Sequence, residues 1–268
     1  MKTPIVMAAF GTRWTAGGPY ARIDRQVRET FAGHAVHWAF SSRVVGRIAS
    51  GQGVPVPPGP EAVLADLHAA GHRWAVLQST HVLCGHEFHR LLHHAAAAPL
   101  RVSMGLPLLT DPPDFEEIAN LLVDIAAPEP DAATVFVGHG TDHPTWTGYP
   151  LLQSMLHRRG AAGIFIGVLE GRPSIDDVVA DLKAAGAVRV RLVPLLIAAG
   201  NHFLRDLTGD DPRCWQRRLE AAGFKVEPVA EGIGRRPEIG ALFCRHVAEA
   251  LDVIPSSEEE ENRPAQHR

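Results

Sequence analysis

The segment AVLADLHAAG at residues 62–71 returns as DVVADLKAAG at 177–186, an offset of 177 − 62 = 115. A second pair shares that offset: LCGHEFHRL (83–91) falls on AAGNHFLRD (198–206), which sets Glu87 opposite His202 and Phe88 opposite Phe203. Two Ala-rich helices can agree by chance, but two separate matches at one offset point to duplication. Around these segments, β-branched runs alternate with amphipathic ones. The strand-like runs lie near 4–10, 35–41, 73–80 and 100–108, and then near 134–138, 163–169, 189–198 and 224–229. Strands alternating with helices predict parallel sheets covered on both faces. The expected fold is therefore α/β, with two similar lobes, each a parallel sheet flanked by helices, and a cleft between them. The stretch AAPEPDAA (126–133) reads as a linker. It divides a first lobe over 1–128 from a second over 129–254, and the acidic segment over 255–268 reads as a disordered tail.

Composition excludes several classes of function. A net charge of −4 and a pI near 6.4 argue against nucleic acid or an anionic membrane surface as partner. No apolar run reaches the length of a membrane span, and MKTPIVMAAFGT does not read as a signal peptide. Cys84, Cys214 and Cys244 are odd in number and form no CxxC pair, as expected of reduced thiols in the cytoplasm. Self-association into a homo-oligomer is compatible with all of this.

In parallel α/β sheets, ligands bind beyond the carboxyl ends of the strands. The second half places one notable residue after each of its first three strands. His139 follows TVFVG, Glu170 follows IFIGVL, and His202 follows LVPLLIAAGN. The spacings are 170 − 139 = 31 and 202 − 170 = 32, each about one βα unit. Two imidazoles and a carboxylate suit a first-row divalent ion. Each residue has a plainer reading. His139 between two glycines could simply end a strand, Glu170 could cap the helix beginning near Ser174, and His202 could cap a helix or pack in a core. Their common position favours a joint role. His143 reads as a loop residue, since Pro144 follows it. There is no GxGxxG after a strand, no phosphate loop and no nucleophile elbow. The segment from His81 to His94 contains five histidines. It reads either as a polar surface helix or as a metal- or haem-binding face.

The motifs FGT (10–12), SSRVVGRI (41–48), THVLCGHEFHRL (80–91), GHGTDHP (138–144), LEGRP (169–173), PLLIAAGNHF (194–203) and GDDPRCW (209–215) occur in a recognisable order. From about residue 4 to about residue 250 the chain resembles the class II tetrapyrrole chelatases, specifically the anaerobic sirohydrochlorin cobaltochelatases. The resemblance implies two α/β lobes around a tetrapyrrole cleft and a His–Glu–His metal set, which falls on His139, Glu170 and His202. It implies insertion of Co²⁺ into sirohydrochlorin, or a close precorrin precursor, in anaerobic cobalamin biosynthesis, with Co²⁺ as substrate metal and no organic cofactor. Insertion of Fe²⁺ or Ni²⁺ into the same substrate class, or a non-catalytic haem or metal carrier, are the alternatives. The chain departs from the family pattern at Asn201, where Asp is usual, at Arg13, and at Arg205–Asp206.

On this reading His139 is both ligand and proton acceptor, and Glu170 supplies charge and a proton relay. Substrate contacts are expected at Phe10, Gly11 and Thr12 of the FGT motif and at Glu87, the counterpart of His202. Sirohydrochlorin is rich in carboxylates, so Arg13 and Arg43, which follow the first two strands, are expected to meet them.

Overall fold

The computed structural model describes residues 1–11, 18–41, 58–126 and 131–255, with the backbone alone at 201–203. Part of the expected linker (127–130) and residues 256–268 of the expected tail lie outside the described residues.

Two four-stranded parallel sheets form the frame. The first contains β1 (Ile5–Ala9), β2 (Val36–Phe40), β3 (Trp74–Ser79) and β4 (Arg101–Gly105), in the order β2-β1-β3-β4. The second contains β5 (Ala132–Gly140), β6 (Ile164–Glu170), β7 (Arg189–Pro194) and β8 (Lys225–Pro228), in the order β6-β5-β7-β8. The two orders are the same, with β1 and β5 in corresponding inner positions. The offset read from sequence is exact in the structure. Helix α2 (Pro60–Ala69), β3 and α3 (His86–Ala96) begin 115 residues before α6 (Ile175–Ala184), β7 and α7 (Asn201–Thr208): 175 − 60, 189 − 74 and 201 − 86 all equal 115.

Both faces of each sheet are covered, which is why the inner strands are continuous apolar runs rather than alternating ones. Every residue of β1 is buried, as are Ala133 through Gly138 of β5. The remaining helices are α1 (Pro19–Thr30), α4 (Pro112–Ala126), α5 (Gly148–Arg158), α8 (Trp215–Ala221) and α9 (Pro237–Asp252). One large apolar cluster runs through both lobes. It joins Ile5, Met7 and Ile23 of the first to Phe136, Leu152 and Ile166 of the second, with Ile118 and Phe243 from α4 and α9. Helix α4 packs on α5, while α9 returns to lie on α1, β3 and β4 of the first lobe. The lobes thus share a core along one side.

A buried polar node fixes α9 to the start of α4. His246, almost fully buried, engages the Leu106 carbonyl through Nδ1 (3.0 Å) and Asp114 Oδ1 through Nε2 (2.9 Å). Asp114 is itself inaccessible. Its other oxygen accepts the N–H groups of Thr110 (2.9 Å) and Asp111 (3.2 Å), and Arg245 reaches Oδ1 at 2.9 Å. Burial alone would raise the Asp114 pKa. The hydrogen bond and charge of His246, with the N–H groups of Asp111 and Thr110, outweigh it and hold the carboxyl below its usual 3.8.

Removing one partner of such a node leaves a buried charge under-compensated. His246→Ala should therefore lower stability by about 3 kcal/mol, read from urea unfolding. A depressed native pKa stabilises the fold above the unfolded-state value. The Asp114 contribution should thus be full above about pH 4 and lost as pH falls through the lower native value. Asp114→Asn should flatten that acid limb, and an unchanged limb would contradict the assignment.

Candidate metal centre

Strand β5 runs further than the sequence pattern suggests. Gly138–His139–Gly140 is the last part of the strand and not a loop after it. Gly138 pairs with Val168 and Gly140 with Glu170 in the ladder with β6. His139 is therefore a strand residue, exposed at the carboxyl edge after six buried ones, and Glu170 is the last residue of β6. Neighbouring strands lie roughly 4.8 Å apart, so His139 and Glu170 sit at the carboxyl ends of adjacent strands, one residue out of step.

Glycine at 140 is what permits this register. Its φ is +87°, and a Cβ there would lie 1.8 Å from the Glu170 carbonyl oxygen. Any side chain would force the two strand ends apart. Behind the strand, a Cβ on Gly138 would meet the Tyr149 ring at 2.6 Å. The Tyr149 hydroxyl accepts the Gly140 N–H at 3.4 Å. Burial pushes that phenol up to about 12, with the Gly140 bond opposing, so it is neutral at physiological pH. Tyr149 is a positioning residue that sequence reading missed. Its only signal was an aromatic nine residues after Gly140.

Glu170 does not cap the following helix. Ser174 and Asp177 form a complete capping box there: Ser174 accepts the Asp177 N–H at 3.3 Å and Asp177 accepts the Ser174 N–H at 2.7 Å. The carboxylate of Glu170, which is exposed, is left for other use.

On the other side of β5 stands β7, whose ladder with β5 continues through Leu195 N–H to Val137 C=O (2.8 Å). The connection from β7 to α7 is held from outside: Ile233 N–H donates to Leu196 C=O (2.8 Å) and Gly234 N–H to Ile197 C=O (3.1 Å). Helix α7 begins at Asn201 after Gly200, with His202 as its second residue. The side chain of His202 is not among the described residues. The backbone brings its position to the same edge as His139 and Glu170.

The first lobe repeats the arrangement. Phe10 and Gly11, the latter at φ +124°, follow β1, and Phe10 is 47% exposed. Thr12, Arg13 and Arg43 lie outside the described residues. Glu87 is the second residue of α3, as His202 is of α7. It accepts from Ser41 Oγ at 3.2 Å and Arg90 Nη1 at 2.7 Å. The histidines of 81–94 have more than one set of neighbours. His94 lies 3.4 Å from Glu61, and His86 and His89 turn toward His143 of the second lobe. His81 bonds Ser79 Oγ through Nδ1 at 2.9 Å. Burial, and then the charge of Arg90, pull its pKa down to about 4.

Comparison with known proteins decides the family. Residues 3–252 match the cobalt chelatase (CbiK) family. The chain belongs to the CbiK cobalt chelatase family. It is 31% identical over 261 residues, 94% of its length and 92% of the relative's, to a Nitratidesulfovibrio vulgaris protein named sirohydrochlorin cobaltochelatase CbiKC. It is 27% identical over 260 residues, 94% of its length and 98% of the relative's, to a Salmonella typhimurium sirohydrochlorin cobaltochelatase. The fold is also that of SirB from Bacillus subtilis, solved with Fe³⁺ (TM-score 0.65, 17% identity, 98% of each chain). A SirB cobalt complex superposes with TM-score 0.59 at 17% identity, over 94% of this chain and 96% of that one. Two α/β lobes with parallel sheets, expected from sequence, are thus the architecture of this CbiK-family chain.

Gly140→Ala tests how the site is built. It should cost more than about 1 kcal/mol of stability and weaken Co²⁺ binding by at least about tenfold, measured by calorimetry. Wild-type affinity in this variant would show that the close approach of β5 to Glu170 does not set the ligand geometry.

Proposed function

We propose that this protein inserts Co²⁺ into sirohydrochlorin as a cytoplasmic step of anaerobic cobalamin biosynthesis. The observation that supports the reading is the pairing of Gly140 with Glu170, which brings the positions of His139 and Glu170 to adjacent strand ends at one sheet edge. Family membership supports the same activity, and the three free cysteines fit a reducing compartment. Among the described residues no helix is long and apolar enough to cross a membrane.

Insertion exchanges two pyrrole protons for one dication: Co²⁺ enters and two H⁺ leave. The metal must also lose water ligands. His139 and Glu170, completed by His202, replace those waters on one face of the macrocycle. Three protein ligands leave positions open for the ring nitrogens, so the ion is held without being trapped. Imidazole serves both as a ligand and as a proton acceptor near neutral pH, and His139 takes one pyrrole proton as the metal leaves it for the ring. Glu170 balances the dication beforehand, then takes the other proton and passes it outward.

The lobe over 129–254 supplies the metal set, and the lobe over 1–128, with α9 packed on it, supplies the opposite wall. There Phe10, Gly11, Thr12 and Glu87 meet the ring, and Arg13 and Arg43 pair with its carboxylates. Self-association into a homo-oligomer leaves this division of labour intact.

Purified protein should accelerate the absorption change of sirohydrochlorin with Co²⁺ over the uncatalysed reaction, with Fe²⁺ and Ni²⁺ as parallel arms. His139→Ala should reduce the rate by at least about 10²-fold, the scale of general acid–base help. Full activity in that variant would remove His139 from the mechanism. Faster insertion of Fe²⁺ or Ni²⁺ than of Co²⁺ would remove cobalt from the assignment.

A further inference from the structure

A second group of metal-type side chains lies where the lobes touch, and the insertion chemistry does not use it. His86 and His89 stand one turn apart at the start of α3. The loop after β5 brings Asp142 and His143 against them from the other lobe. His86 Nε2 is 2.8 Å from Asp142 Oδ1. The His143 ring centre lies 5.1 Å from that of His86 and 4.8 Å from that of His89. Two imidazoles bound to one tetrahedral first-row ion, each with a metal–nitrogen bond of about 2.0–2.1 Å, have ring centres about 5 Å apart. The rings are close enough that reorientation alone would let them share an ion.

We propose that His86, His89, Asp142 and His143 form a second divalent-metal site spanning the two lobes, which holds a Co²⁺ equivalent beside the insertion site. No three such groups among the described residues yet form a ligand set. Closure needs side-chain rotation, which the exposure of His86 (60%) and Asp142 (93%) leaves unhindered. His143 Nδ1 accepts the Thr145 N–H at 3.3 Å and lies 3.0 Å from Thr145 Oγ1. Metal binding through Nε2 requires the other neutral tautomer, in which Nδ1–H donates to Oγ1, the Thr145 N–H bond is given up and the Nε2 lone pair faces the metal. Burial, and then the charges of His89 and His86, lower the His143 pKa and favour the neutral, ligating form. Three imidazoles and one carboxylate are a donor set for Co²⁺, Ni²⁺ or Zn²⁺ rather than for Mg²⁺ or Ca²⁺. Asp142 follows His139 by three residues in the chain, so an ion held here is adjacent to its point of use.

Metal binding by the cluster stands by itself, whereas its role as a supply rests on the function proposed above. The test is Co²⁺ titration of the full chain without tetrapyrrole, followed by calorimetry and visible cobalt absorption. Wild type should take two equivalents. His86→Gln/His89→Gln should take one, and His139→Ala/Glu170→Gln should take one with the signal of the His86/His89 site retained. In the insertion assay, His86→Gln/His89→Gln should raise KM for Co²⁺ on the order of tenfold. The site is overturned if His86→Gln/His89→Gln still binds two equivalents, or if wild type binds only one and His139→Ala abolishes it. An inactive wild type that binds two equivalents with this pattern would overturn the supply role and the insertion reading while leaving the site standing.

Discussion

The arrangement depends on how closely β5 and β6 approach at their carboxyl ends. Parallel strands space their backbones evenly, but which side chains emerge together is a matter of register. Here the register continues to Gly140 and Glu170, and it does so because residue 140 has no Cβ to strike the Glu170 carbonyl. His139 inherits its position from its neighbour. Tyr149 supports the same backbone from behind, and the Ser174–Asp177 capping box frees Glu170 from local duty. The positions of His139 and Glu170 are thus set by backbone geometry, and Glu170 is freed by the satisfaction of competing hydrogen bonds elsewhere.

Duplication explains why the two lobes present matched strand ends. Each lobe has the same strand order, and Glu87 and His202 are the second residues of equivalent helices. The lobes have diverged at these matched points, with a carboxylate on one side and an imidazole on the other. Helices α4 and α9 hold the two together. Asp114 and His246 form a buried polar contact between these helices, and the apolar cluster around it runs through both sheets. Such a shared core fixes the walls on one side and leaves the strand ends on the other to bind a flat ring.

Much of this was legible from sequence, for identifiable reasons. Buried parallel strands leave near-continuous apolar runs, and the offset of 115 fixed three consecutive elements exactly. His139, Glu170 and His202 could be selected because βα units return the chain to one edge at regular intervals. The strand character of His139 was not legible. Gly-His-Gly reads as a loop, and only the partner strand shows that the ladder continues. Tyr149 was missed because its partner is a backbone N–H across a turn, which no periodicity marks. His86, His89 and His143 came from two separate motifs, and their meeting is a property of lobe packing. In 81–94, His86 and His89 face His143 across the lobes while His94 turns to Glu61, a division that helical spacing alone does not show.

His139 and Glu170, at the ends of adjacent strands, are proposed to bind one metal ion. An anomalous difference map at the cobalt edge, from crystals grown with Co²⁺, tests it directly. The predicted result is a cobalt peak within about 2.0–2.2 Å of a His139 ring nitrogen and a Glu170 carboxylate oxygen. Cobalt bound elsewhere, with both of those side chains left free of metal, would contradict it.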